Sequence, residues 1–396
     1  MNKILFFCLI LITVCSLTLT ACNISPVRKT RITSTVSSTD ITTTLFTKWK
    51  SKMLDSDMIF EQGVAGNING KNYLICSAGF GTSTNKRNSN VIIIVLDITN
   101  PDSPQEISSL KTEQEENPFI CDMKLDGSFL YVLTIYNLRI IDLSDPYHLK
   151  EDGQMTFINA SCFDISGEFA YVSTVSPTND HILRTLDISD PMNPQILGQV
   201  SVPSYFNVME SSGSELFCLN FGGLYVYDKS IPGTLRQIGV LFNPFPPLTG
   251  VIPPESISPA FFDMAITGKN LYIASGIDRL LEVDISIPNA PEITTEFETR
   301  EQATDIIISG GTAYLLACNG AIAYSAGIRN ILAIVNIANK EIINEMNPVP
   351  LPERNPVSVP VSYGTMINAN NHLYFSDQRY PLIQIVDINK LSGNLK

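Results

Sequence analysis

The sequence predicts an all-β fold: a seven-bladed β-propeller of four-stranded antiparallel blades, its ring closed by an N-terminal strand in the last blade. Three observations carry this. A short phrase returns seven times, clearest at Leu186-Asp187-Ile188-Ser189-Asp190-Pro191, with Pro194 and Gly198 behind it. It recurs around Asp97, Asp142, Asp228, Asp284 and Asp387, and as Val335-Asn336-Ile337 without the acid. Upstream of each copy stands an aromatic followed by apolar residues, at Tyr73, Tyr131, Tyr171, Phe217, Tyr272, Tyr314 and Tyr374. Successive landmarks lie 45, 45, 41, 56, 52 and 51 residues apart, and self-similarity at such a period marks a repeat architecture.

The unit from Phe261 to Glu298 shows how each copy divides into strands. Phe262, Met264 and Ile266 alternate with Asp263, Ala265 and Thr267, as in a half-buried strand. Gly268-Lys269-Asn270 is a turn, and Leu271–Ala274 a second strand that turns Tyr272 to the core. Leu280–Ile285 is a third strand. Pro288, Asn289 and Pro291 stop it, because proline has no ladder donor, and Glu292–Phe297 is the fourth. No long segment carries apolar residues at helical spacing. The last unit lacks its outer strand, since only 389–396 follow its third. An open ring edge would expose unpaired backbone groups, so Thr44–Ser51, with Leu45, Thr47 and Trp49 on one face, is expected to fill the gap against Leu382–Ile388.

Ahead of the ring the chain divides into a signal (1–21), an anchor and tether (22–43) and the propeller (44–396). Lys3 precedes an apolar run, Ile4–Leu19, that is short for a membrane span, and Leu19-Thr20-Ala21-Cys22 follows it. The four residues resemble a bacterial lipobox, which implies lipidation of Cys22; the plainer alternative is a secretory signal cut near Ala21. Asn23, where an aspartate would favour inner-membrane retention, points to the outer membrane or cell surface. From Thr33 to Thr44 nine of twelve residues are Ser or Thr, too polar to bury a core, so the stretch is read as disordered. Cys8 and Cys15 leave with the signal. Cys76, Cys121, Cys162, Cys218 and Cys318 lie in different units as small buried hydrophobes, with Cys121 and Cys162 the one pair placed similarly enough to bond. Losing Lys3 leaves 25 basic against 39 acidic side chains, which argues against nucleic acid and against a peripheral grip on anionic lipid.

The phrase resembles the LVIVD repeat, a propeller-type repeat of bacterial and archaeal cell-surface proteins. The likeness is good at Leu138–Pro146 and Leu186–Pro194, poor at Tyr227-Asp228-Lys229-Ser230, and broken at Asn336. It implies a propeller and a surface location, and carries no catalytic residues.

Length variation falls on one face of such a ring. The loops within 78–90, 177–181, 243–259, 319–330 and 347–363 all join strand two to three or one blade to the next. The opposite turns, such as Asp126-Gly127 and Ser166-Gly167, stay short. The long-loop face is therefore the expected working surface for a protein or glycan partner, with Phe245, His181 and Tyr363 as candidate contacts. A second constellation is Asp122, Asp263 and Asp305, each nine residues before its tyrosine, with Asp164 seven before Tyr171. Two readings stand. The four acids ring the channel mouth as a Ca²⁺ site, or each accepts hydrogen bonds from backbone donors of its own or the next blade. No nucleophile elbow, phosphate loop or HExxH helix is present, and only three histidines occur. The leading expectation is a monomeric, lipid-anchored extracytoplasmic binding scaffold without a cofactor. The alternative is a calcium-dependent hydrolase or lactonase-like enzyme at the channel mouth.

Overall fold

In the computed structural model the described residues are 30–33, 46–51, 59–79, 88–113, 115–116, 119–244, 261–275, 279–299, 302–318, 330–346, 365–377 and 382–393. Cys22, Phe245, Tyr363 and most of the Thr33–Thr44 run lie outside them.

Seven antiparallel sheets follow in chain order. Blade one is Ile59–Ile68, Lys71–Gly79, Ile92–Asp97 and Gln105–Lys111. Blade two is Ile120–Asp126, Phe129–Thr134, Asn137–Asp142 and Lys150–Thr156, and blade three Cys162–Ser166, Phe169–Val175, His181–Asp187 and Gln195–Ser201. Blade four is Val208–Ser212, Glu215–Asn220, Gly223–Ile231 and Thr234–Phe242. Blade five is Phe261–Thr267, Asn270–Ser275, Arg279–Asp284 and Glu292–Glu298. Blade six is Gln302–Ser309, Thr312–Cys318, Asn330–Asn336 and Glu341–Met346. Blade seven has three consecutive strands, Met366–Ala369, His372–Asp377 and Leu382–Asp387.

Its fourth comes from the other end of the chain. Phe46–Lys50 pairs antiparallel with Leu382–Asp387, from Phe46 opposite Val386 to Lys50 opposite Leu382. Trp49 then packs towards Phe60 of blade one, ring centroids 6.1 Å apart, and the first strands of blades seven and one meet. The ring closes as the alternation of Thr44–Ser51 predicts. A second N-terminal segment adds a strand that the sequence does not announce: Thr30–Thr33, within the stretch read as tether, runs parallel along Glu292–Glu298 as a fifth strand of blade five.

Apolar clusters fill each gap between neighbouring blades, and the landmark aromatics are buried in them. The repeated aspartate has a local task. Its carboxylate accepts the N–H two residues on, as from Ser144 to Asp142 (2.7 Å), Ser189 to Asp187 (2.9 Å) and Ser286 to Asp284 (2.8 Å). This fixes the turn that the following proline then holds. Asn336 serves in the sixth copy because its amide oxygen accepts equally, here from the Asn339 N–H at 2.9 Å. In the seventh the same bond, Asn389 to Asp387, opens a short helix, Ile388–Gly393, in place of a turn; it covers the blade with Ile388 and Leu391 and has no apolar repeat to betray it.

The glycine that closes the phrase is explained by the neighbouring blade. A Cβ on Gly153 would lie 2.3 Å from the Pro191 carbonyl oxygen, one on Gly198 2.0 Å from that of Gly233, and one on Gly239 2.4 Å from that of Pro288. Each outer strand is bare where the next blade's turn leans on it. Blade one uses Ser108, whose hydroxyl donates to the Pro146 carbonyl. At the blade five–six junction Thr295 stands at this place, and Lys340 of the next turn reaches in to Thr295 Oγ1 and to buried Glu282, each at 2.7 Å. Cys76, Cys121, Cys162 and Cys218 are all free thiols, so the pairing of Cys121 with Cys162 is not formed.

Candidate functional site

The first strands line the central channel, and their pairing registers sort its charged side chains into two tiers. Opposite the landmark aromatic sit Lys124 (Tyr131), Asp164 (Tyr171) and Glu210 (Phe217) in three successive blades. Two residues nearer the long-loop face sit Asp122, Asp263 and Asp305, opposite Leu133, Ala274 and Leu316. Asp164 is therefore not equivalent to the other three aspartates. A two-residue offset along a strand moves a side chain about 7 Å without changing the face it points from. Beside each upper-tier aspartate the ladder skips one residue, Cys121, Phe262 or Thr304. Such a bulge twists the strand and re-aims the side chain that follows.

The acids reach across blade boundaries. Asp122 accepts the Met123 N–H of its own strand (2.8 Å) and the Phe163 N–H of blade three (3.4 Å). The Ser211 amide of blade four turns to Asp164, and Ile266 of blade five donates to Glu210 at 3.4 Å. Asp263 accepts from Ile306 of blade six at 3.0 Å, and Asp305 from Met366 of blade seven at 2.7 Å. From blade two to blade seven, each junction is thus tied by a carboxylate of one blade and an amide of the next.

Burial pushes every one of these carboxyls up. Asp122, Asp164 and Asp263 lie above the ordinary aspartate range, and Glu210 is pushed up to about 7. Asp305 is raised furthest, by burial and then by the charge of Asp263, to which it is also hydrogen-bonded. Lys124, the only basic residue among the seven first strands, is raised as well, which for a cation favours the charged form: Asp122 above all, then Asp164, outweigh its burial. Its ammonium lies 3.9 Å from Asp164. Among the described residues no three His, Cys, Asp or Glu side chains group to hold a metal ion. None of the three histidines joins the channel: His148 pairs with Asp145 at a turn, His372 bonds the Asn370 carbonyl, and His181 opens the third strand of blade three. Lys124 and Glu210 escaped sequence reasoning, although alternation places Lys124 on the same side of its strand as Asp122.

His181 belongs to a different feature, a row of rings across the long-loop face. Its ring stands 5.9 Å from Tyr205 in the link to blade four, and Tyr205 stands 6.4 Å from Phe221 between strands two and three. Phe221 in turn meets Phe262 of blade five edge-on at 6.0 Å. Phe221 is 47% exposed, and Phe242, where blade four's last strand leaves the ring, is 66% exposed. The Nδ1 atom of His181 is buried with no hydrogen-bond partner. Asn243, just beyond the last strand of blade four, donates to the Phe221 carbonyl. Of the three contact candidates named from sequence, His181 is placed in it.

Residues 120–156, 159–202 and 262–299, which are blades two, three and five, match the LVIVD repeat. The chain carries LVIVD repeats. Blade four, where the phrase is poorest, is not among the matched stretches, though it folds as the others do. No curated protein matches the chain. Solved structures similar in fold include Sqt1 of Saccharomyces cerevisiae, at 9% identity and a TM-score of 0.53 over 83% of this chain and 82% of that one. Raptor of Chaetomium thermophilum reaches a TM-score of 0.60 at 12% identity over 86% of this chain and 29% of its own. The Pan2 WD40 domain of Neurospora crassa gives 0.54 at 6% identity, over 83% and 88%. At these identities the likeness concerns the fold alone, that of a propeller.

Proposed function

We propose that this LVIVD-repeat propeller is a lipid-anchored extracytoplasmic binding scaffold that takes a protein or glycan partner on its long-loop face. The observation that carries this reading is the row His181–Tyr205–Phe221–Phe262, which runs over three blades of the long-loop face with Phe221 exposed within it. Rigid aromatics give contact area at little entropic cost, and interfaces are enriched in them. The channel acids favour binding over hydrolysis, since their carboxylates are engaged by backbone amides that hold the blades together. Anchoring rests on Leu19-Thr20-Ala21-Cys22.

Two experiments test it. Affinity capture from native membranes with wild type and with a Tyr205→Ala/Phe221→Ala double variant should recover a partner with wild type alone; equal recovery by both would sink the long-loop assignment. Labelling with a fatty-acid analogue should mark wild type and not Cys22→Ser. Equal labelling of the two would remove the lipid anchor.

A further inference from the structure

The turns between strands three and four hold a second set of exposed apolar side chains, on the face opposite the aromatic row. Tyr147, Met192, Ile231 and Ile287 each stand beside the turn proline, in blades two, three, four and five. They are 50%, 60%, 63% and 61% exposed. One exposed hydrophobe needs no explanation, but four beside the strand three-to-four turns of consecutive blades form an arc. Among the described residues the matching turns of blades one, six and seven carry no exposed large hydrophobe. The tips are also held. The turns of blades three, four and five rest their backbone on Gly153, Gly198 and Gly239, and the Pro146 carbonyl beside Tyr147 accepts from Ser108.

The N-terminal segment says what this arc faces. Thr30–Thr33 runs parallel to the last strand of blade five, which rises from the turn face to the long-loop face. The chain therefore enters the ring from the turn side, at one end of the arc. Only seven residues separate Cys22 from Thr30, eight backbone steps in all. Fully extended they span at most about 28 Å, so acyl chains on Cys22 would hold blade five close to the bilayer, with the turn side leading.

We propose that the turn face of blades two to five lies against the membrane, with Tyr147, Met192, Ile231 and Ile287 seated in the lipid interface. The proposal rests on the lipid-anchor reading and adds an orientation to it: the long-loop face points away from the bilayer. Because the chain is acidic, with a formal net charge of −13, contact comes from apolar insertion and not from attraction to anionic headgroups. It should therefore survive high salt, which screens only charges.

The test uses the full-length lipidated chain reconstituted into phosphatidylcholine vesicles, with or without brominated acyl chains. Trp49, the one native tryptophan, is replaced by Phe, and single tryptophans are placed at exposed sites: Ile231→Trp and Ile287→Trp on the turn face, Phe119→Trp on the other. Brominated lipid should cut the emission of both turn-face variants about twofold or more and leave Phe119→Trp unchanged, in low and high salt alike. Quenching of Phe119→Trp instead, or of none, overturns the orientation. A blue shift of the turn-face tryptophans without bromine quenching would mean a second copy or another protein covers the arc, which also overturns it. Flotation reads the anchor separately. If Cys22→Ser floats as fully as wild type the lipid assignment fails, whereas a floating wild type with unquenched turn-face tryptophans defeats only the orientation.

Discussion

The two faces of the ring are built by opposite rules. On the turn face the same device recurs from blade to blade: an aspartate accepts an N–H two residues on, a proline holds the turn, and a bare glycine next door receives it. On the long-loop face nothing recurs except position, and the rings of His181, Tyr205, Phe221 and Phe262 each come from a different kind of segment. Repetition builds the scaffold where blades must fit one another. The face that needs no such fit is where side chains are left over for a partner.

The carboxylates follow the same division. In the turns, Asp187, Asp228 and Asp284 are held below the ordinary range by the N–H and hydroxyl groups they accept, Asp228 to about 2. Those in the channel are raised by burial.

The largest effect is expected from breaking the ring that both faces share. Deleting residues 23–51 removes the outer strand of blade seven and should lower Tm by about 10 °C in a thermal melt. Deleting 23–40 removes only the parallel edge strand of blade five and should cost far less. Equal melting of the two truncations would refute closure by strand exchange.

Next comes the glycine at a blade junction. Gly198→Val forces a side chain onto the Gly233 carbonyl and should destabilise by about 3 kcal/mol in denaturant melts. Gly127→Ala, in an open turn at φ +57° with nothing within 4 Å, should cost only about 1 kcal/mol of backbone strain. A smaller cost at Gly198 than at Gly127 would mean the junctions are looser than the contacts indicate.

The pH dependence sharpens the comparison further. A raised carboxyl binds more protons in the folded than in the unfolded chain, so it stabilises as pH falls from its folded pKa to its unfolded one. For Glu210 that window runs from about 7 down to the ordinary 4.5. Tm should therefore rise a few degrees between pH 7.5 and 5, and Glu210→Gln should flatten the rise. The turn aspartates act in the other sense: their contribution is present above the ordinary 3.8 and is lost only as pH falls towards about 2, as for Asp228. A Tm that falls steadily from pH 7.5 would contradict the burial of the channel acids.

The smallest effect on stability is expected at the working face. Phe221→Ala, at a half-exposed position, should leave Tm within about 1 °C. Its cost should appear in partner binding alone.

Most of the ring was legible in the sequence because it depends on local rules. Alternation marks strands, proline marks turns, and the missing outer strand of the last unit pointed to Thr44–Ser51, which pairs as expected. What was not legible depends on register and on contacts between distant segments. Asp164 reads like a fourth member of the aspartate set, yet strand pairing puts it beside Lys124 and Glu210 in another tier. The parallel strand Thr30–Thr33 lies in a stretch whose composition suggests only a tether, since an edge strand needs no apolar pattern of its own. The rings at 181, 205, 221 and 262 are brought together by loops, and no spacing rule joins them.

The division between the faces is tested most directly by photo-crosslinking in intact cells, with a photoreactive residue at Phe221 or at Ile231 of the anchored protein. The two-face assignment predicts that the Phe221 probe forms a discrete adduct with a protein or glycan, while the Ile231 probe couples to lipid and yields no such adduct. A discrete macromolecular adduct from Ile231 together with lipid coupling from Phe221 would contradict it.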